Sequence, residues 1–244
     1  MDLLTYKGFI VFAALISMLV LERLLPAATV SENFARLFKN FSLAGSNAVM
    51  SALIVIPVAD FFSQWSLQWR PESLLLDLLL LDLWIYVWHR LNHVVPFFWR
   101  FHEVHHLDET LDASSALRFH FGEVLLSSMA RVGIIVILGV PVLHVVIFEM
   151  VLAMATLFHH SNIKLPAWFE APLSLVFVTP SIHWVHHHAV RADTDSNYAT
   201  VLSVWDRLFR SRSSTQRNVD MKIGVEGLAD VPIVPLILRP FFKR

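Results

Sequence analysis

The stretch His89-Arg90-Leu91-Asn92-His93-Val94-Val95-Pro96-Phe97-Phe98-Trp99-Arg100-Phe101-His102-Glu103-Val104-His105-His106 decides how this chain is read. It holds five of the thirteen histidines. On a helix, residues three and four apart share a face, with Cβ atoms ~5–6 Å apart. His89 with His93, and His102 with His105 and His106, therefore each project a cluster of imidazoles, which is metal-ligand spacing. A third cluster, His183-Trp184-Val185-His186-His187-His188, repeats the spacing of the second. One such pair is more often a core or surface accident than a ligand set. Three of them beside apolar segments, where an unsatisfied imidazole is costly, point to metal.

Outward from this stretch the chain is apolar: 244 residues, 56% hydrophobic and 16% charged, with a mean hydropathy of +0.58. That is too apolar for an ordinary soluble domain and too long for a single anchor, so an all-α polytopic membrane protein is expected. The net charge of -1 gives no electrostatic reason to expect nucleic acid as a partner. With no cysteine, thiolate and iron–sulfur ligation are excluded, and any metal is held by nitrogen and oxygen.

Apolar segments are expected over residues 8–21, 41–67, 74–88, 122–140 and 142–160. The first lacks a small-residue cleavage pattern and reads as a retained span. Gly139-Val140-Pro141 joins the last two as a helical hairpin, which returns His159-His160-Ser161-Asn162 to the side of the other clusters. Residues 171–179 are too short to span. The reading is four to five apolar helices and a histidine-rich module, with residues 1–72 as N-terminal spans, 73–210 as the histidine-box region and 211–244 as a tail. Arg90, Arg100, Arg118 and the basic tail share a side with Arg23, Arg36 and Lys39, whereas the opposite loop carries Arg70; positive residues thus put the histidines in the cytoplasm.

Three function classes compete. One metal with open positions needs three or four protein ligands, so nine or more histidines call for two. That favours a di-metal oxygenase working on an inert C–H bond. His102-Glu103-Val104-His105-His106 also satisfies H-E-x-x-H, the pattern of a zinc hydrolase with Glu103 as general base, but this leaves two clusters unused. A haem carrier or metal permease would place its ligands deep within helices, whereas these lie at helix ends and in polar linkers. Asp82, Tyr86, His89 and His93 form one helical stripe, so Asp82 is expected to hydrogen-bond a ligand imidazole from the outer shell.

His89-x3-His93, His102-x2-His105-His106 and His183-x2-His186-His187 together resemble the three-box pattern of the sterol desaturase / fatty acid hydroxylase superfamily of membrane di-iron enzymes. Trp99-Arg100-Phe101-His102, Arg118-Phe119-His120, Phe158-His159-His160-Ser161-Asn162, Thr179-Pro180, Asp195-Ser196-Asn197-Tyr198 and Trp205-Asp206-Arg207-Leu208-Phe209 agree with it. The resemblance covers roughly residues 75–210. It departs at Phe121, where the family often has Pro, and at Ala199 and Arg210, where it often has Gly; these bear on local turns and remove no ligand. The resemblance implies two iron ions, replaceable by another divalent metal in isolated protein, and a ligand set of His89, His93, His102, His105, His106, His183, His186 and His187. His120 and one of His159 and His160, preferably His160, match weaker motifs. It places Asn197 near the metals and implies dioxygen, a lipid or other apolar substrate and a separate electron-transfer protein, since no haem-binding or flavin-binding segment is recognisable. Glu103, Glu123 and Arg131 read as interface or interhelical charges, His144 as a satisfied interior residue and His188 as a solvated neighbour.

Overall fold

The computed structural model describes residues 3–31, 33–67 and 69–242. In chain order the helices are α1 (Leu3–Leu24), α2 (Phe34–Met50), α3 (Ile56–Ser63), α4 (Leu74–Val94), α5 (Pro96–His106), α6 (Phe121–Leu138), α7 (Val142–His160), α8 (Ala167–Leu173), α9 (Pro180–His186), α10 (Arg191–Thr194), α11 (Val204–Leu208) and α12 (Ile233–Leu238). Pairing between extended segments is limited, among the described residues, to isolated bridges such as Phe177 with Leu202.

Five apolar rods are present: α1, the continuous α2–α3 rod, α4, α6 and α7. Among the described residues three of them, Phe34–Ser63, Phe121–Leu138 and Val142–His160, are long and apolar enough to cross a membrane. Phe9, Phe12, Phe38, Phe41, Leu53, Phe61, Ile137 and Val142 are exposed on these rods. A belt of that size suits acyl chains rather than water. The α2–α3 rod passes through a π turn at Ser51–Val55, just before Pro57. Proline has no N–H to return to the preceding turn, so the hydrogen-bond register shifts there instead of the helix ending.

The second rod begins seven residues before the expected apolar start at 41. Asn33 caps it by accepting a hydrogen bond from Arg36 N. Its first turns are amphipathic and bury Arg36 and Asn40. Arg36 donates to Asp108 Oδ1 at 2.6 Å, Asp112 Oδ2 at 2.6 Å and Thr110 O at 2.7 Å. Lys39 pairs with Asp230. Both cations are therefore spent inside the fold, not displayed on a loop. Burial alone would raise the Asp108 carboxyl, but the Arg36 and Arg118 guanidiniums hold it below the usual carboxylate range. This network fixes the segment between α5 and α6, and so the second histidine box.

The α6–α7 hairpin turns at Gly139, whose φ of 64° lies in the left-handed region; a Cβ there would collide with Leu67 O. Leu67 N, Trp69 Nε1 and Arg70 Nε donate to the carbonyls of Val136, Ile137 and Leu138, closing the end of α6. At this same end Asp77 pairs with Arg70 and accepts from His144 Nδ1 at 2.7 Å, which satisfies that interior histidine. The opposite ends of α4 and α7 meet α5 and α9, where the histidines collect.

Candidate metal centre

Among the described residues nine histidines form two groups, all buried except the half-buried His89. His89, His93, His102, His106 and His186 make one; His105, His160, His183 and His187 make the other, and within each group the candidate ligand atoms lie within 4.8 Å of one another. Each H-x-x-H-H box is divided between them. His102 and His106, one helical turn apart, enter the first group and His105 the second; His183 and His187 enter the second and His186 the first. The short helices α5 and α9 thus each face both groups, with His89 and His93 near the end of α4 and His160 at the end of α7 completing them.

The proton positions follow from the partners. His89 Nδ1 lies 2.7 Å from Tyr198 O, His186 Nδ1 2.6 Å from Ser196 O and His102 Nδ1 2.7 Å from Glu123 Oε1. His105 Nδ1 meets Arg118 O at 3.2 Å and His160 Nδ1 meets Thr156 O at 2.8 Å. A carbonyl or carboxylate oxygen only accepts, so each Nδ1 carries the hydrogen and each Nε2 is left a bare lone pair. Those Nε2 atoms face one another, His89 to His102 and to His186 at 3.1 Å and His160 to His105 at 3.1 Å; His183 Nε2, whose tautomer no Nδ1 partner fixes, lies 2.9 Å from that of His160. Opposed lone pairs at such distances repel unless a cation lies between them. Both ring nitrogens of His93 and of His106 have no hydrogen-bond partner among the described residues; a metal would satisfy one on each. Burial first, then neighbouring imidazoles, pushes His105, His106, His183, His186 and His187 well below the ordinary imidazole range, so these rings are neutral donors. The donor set fits two nitrogen-preferring divalent cations.

Outer contacts explain the motifs beyond the boxes. Ser196 and Tyr198 supply the carbonyls that orient His186 and His89, and Asn197 between them adopts φ 52°. Asn197 does not reach an imidazole: Oδ1 accepts from Ser213 N at 3.0 Å and Nδ2 donates to Ile182 O at 3.3 Å, which pins the loop. Asp206 then holds the loop's far side, accepting from Tyr198 N at 2.8 Å and Ala199 N at 3.0 Å. Arg210, where glycine would be at ease, takes φ 55°.

Other expected site residues lie elsewhere. Asp82 touches no imidazole; Oδ2 accepts from Trp205 Nε1 at 2.7 Å and Leu202 N at 3.2 Å. The stripe linking it to His89 is real, but seven residues of helix span roughly 10 Å, beyond hydrogen-bond reach. His120 lies outside both groups because its ring is spent on backbone: Nδ1 accepts from Gly122 N at 2.9 Å, capping α6, and Nε2 donates to Ile237 O at 2.9 Å. His159 also lies outside them; Nδ1 donates to Thr200 O at 3.1 Å and the ring packs 4.0 Å from that of His183. His188 bonds Asp193 at 2.8 Å. Glu103 points away from both groups to Arg239 Nε at 2.7 Å. Arg131 pairs with Glu149 between α6 and α7, whereas Glu123, expected as another such charge, is the carboxylate that orients His102. No periodicity reveals that contact; the only signal was an acidic residue three positions after a histidine in an otherwise apolar run.

Against the groups lies a cavity of about 250 Å³. His89, His102, His105, His159, His160 and His183 face it at one end, and Ile85, Trp88, Val124 and Leu152 extend it between α4, α6 and α7.

The sequence model of the fatty acid hydroxylase family matches residues 74–211, which contain every histidine of both groups. Among curated proteins, the chain is 29% identical over 195 residues to an ornithine lipid hydroxylase, OlsE, of Rhizobium tropici, covering 79% of this chain and 58% of that one. It is 31% identical over 145 residues to human alkylglycerol monooxygenase, covering 59% of this chain and 31% of the other. A cholesterol 25-hydroxylase-like protein of Danio rerio is 31% identical over 160 residues, 58% of this chain and 61% of that. The chain therefore spans from about a third to three fifths of these relatives. No solved structure matches. The chain belongs to the fatty acid hydroxylase family.

Proposed function

We propose that the protein is an integral membrane di-iron oxygenase that hydroxylates a C–H bond of a lipid-like substrate. The observation that carries the reading is the convergence of bare Nε2 lone pairs from two histidine groups at the end of an apolar cavity. The five-histidine and four-histidine groups would each hold one iron, and the pair would supply reductive activation of dioxygen. The overall change, R–H + O₂ + 2 e⁻ + 2 H⁺ to R–OH + H₂O, draws its electrons from a separate one-electron carrier. Residues 73–210 act as the catalytic unit, with 1–72 as spans and 211–244 as a tail folded over α5.

The chain's own residues prepare the site. Ile85, Trp88, Val124 and Leu152 hold an acyl or sterol-like body by apolar contact and exclude water. Ser196, Tyr198, Arg118 and Thr156 carbonyls and the Glu123 carboxylate lock five imidazoles in the tautomer that presents Nε2, an arrangement worth 10–100-fold in metal affinity in other sites (about 1.4–2.7 kcal/mol). The names of the relatives agree with a lipid C–H substrate: each is called a hydroxylase or a monooxygenase. Arg90 and Arg100 near the boxes support a cytoplasmic orientation. The zinc-hydrolase reading has less support, because Glu103, its general base, is engaged by Arg239 outside the cavity.

Lipid analysis of cells with and without the protein tests the proposal. A product heavier by one oxygen, formed only with oxygen present and lost in His186→Ala, is the expected result. Oxygen-independent lipid hydrolysis abolished by Glu103→Gln would replace it with the hydrolase.

A further inference from the structure

Glu123, in the first turn of α6, is 6% exposed. Oε1 accepts from His102 Nδ1 at 2.7 Å and from Asn92 Nδ2 at 3.2 Å. Oε2 is buried and has no hydrogen-bond partner among the described residues, and Glu123 lines the cavity. A buried carboxylate oxygen left unpaired is costly, and native structures supply the large majority of such groups with a partner. Arg131, the cation that lines the same cavity about two turns further along α6, does not provide one, because it is engaged with Glu149. Both groups that touch Glu123 are donors and both are taken up by Oε1. Glu123 lines the cavity beside Val124 and the small side chains of Ser127 and Ser128, and Oε2, buried behind that wall, is left purely as an acceptor.

We propose that Oε2 of Glu123 receives a hydrogen bond from a hydroxyl or N–H of the lipid bound in the cavity, making Glu123 a specificity-determining residue for lipids that carry a donor near the carbon to be oxidised. The inference rests on the cavity being the lipid site of the proposed oxygenase. The same carboxylate touches His102 through its other oxygen, so a donor held by Oε2 is anchored within one side chain of the first histidine group. The neighbouring carbon is then brought to that group, while the apolar remainder lies along Trp88 and Leu152.

Direct binding tests this without turnover. Zinc-loaded full-length protein in detergent is titrated with radiolabelled hexadecanol and with hexadecyl methyl ether, which share a chain but differ in the donor. The alcohol is expected to bind about tenfold tighter, the scale of one hydrogen bond to a charged acceptor. In Glu123→Gln the side-chain oxygen still accepts from His102 Nδ1–H and the amide N–H₂ turns to the cavity, so the preference should vanish or reverse towards the ether. Equal affinities in the unmodified protein, the outcome if only a buried water satisfies Oε2, overturn the inference without any variant. So does an unchanged alcohol preference in Glu123→Gln with its metal content retained. An alcohol preference that follows Glu123 in a protein that oxidises no lipid would overturn the oxygenase reading and leave the Glu123 contact standing.

Discussion

Replacing His186 by alanine separates a ligand from a structural histidine. The ring contributes two things: an Nδ1–H donated to Ser196 O at 2.6 Å and an Nε2 aimed at His89 Nε2 at 3.1 Å. In metal-free protein the first is a stabilising hydrogen bond worth about 1 kcal/mol, but the second is a repulsive lone-pair contact whose removal offsets part of the loss. The void is lined by imidazoles and can take up water. The metal-free variant should thus melt within about 1 kcal/mol of the parent. With metal the balance changes. Losing one of the five donors of the first group should weaken binding at least as much as losing an outer-shell partner, 10–100-fold, so metal-dependent stabilisation falls by about 1.4–2.7 kcal/mol. The assay is a pair of melting curves, with and without saturating zinc, alongside metal content after purification. A variant that keeps two metals per chain, or whose metal-free form loses several kcal/mol, would refute the assignment.

Glu103→Gln should keep its metal and most oxygen-dependent lipid oxidation, because its carboxylate bonds Arg239; abolished turnover with metal retained would contradict this. Arg36→Met leaves Asp108 and Asp112 buried without their main counter-charge and should destabilise by about 3–5 kcal/mol in a denaturation measurement, as breaking a buried ion pair does. Among the histidines with depressed pKa values, His105, His106, His183, His186 and His187 bind protons in the unfolded chain below about pH 6.5 but not in the folded one. Their contribution is complete above that pH and is lost as pH falls, at ~1.4 kcal/mol per unit for each; metal-free protein should melt progressively lower between pH 6.5 and 5, and a flat profile would count against neutral rings. Asp206→Asn should lower metal retention while leaving the apolar bundle intact by circular dichroism, since it loosens the loop that orients His186 and His89.

The boxes were legible because a three- and four-residue spacing is a local property of helices, and His89, His93, His102, His105, His106, His160, His183, His186 and His187 all converge in the two groups. What periodicity could not show is where a ring's second nitrogen goes. Glu123, Ser196, Tyr198, Arg118 and Thr156 act through contacts set by tertiary packing, four of them through backbone carbonyls that carry no side-chain signature. Asp82 shows the converse limit: it shares an angular stripe with His89 but not an axial position. His120 lies in a motif yet works as the cap of α6. Arg36 resembled a loop cation because nothing local announces a buried partner seventy-two residues on. The apolar rods could be read from hydropathy alone, but the start of α2 could not, because its first turns face a polar interior.

In the proposed enzyme two metals serve one oxygenation. Purified protein, reconstituted anaerobically with ferrous iron and then given isotopically labelled dioxygen, an electron donor and lipid vesicles, should contain two irons per chain and place one labelled oxygen in the lipid product. One iron per chain at full activity, or a product oxygen that comes from water, would contradict it.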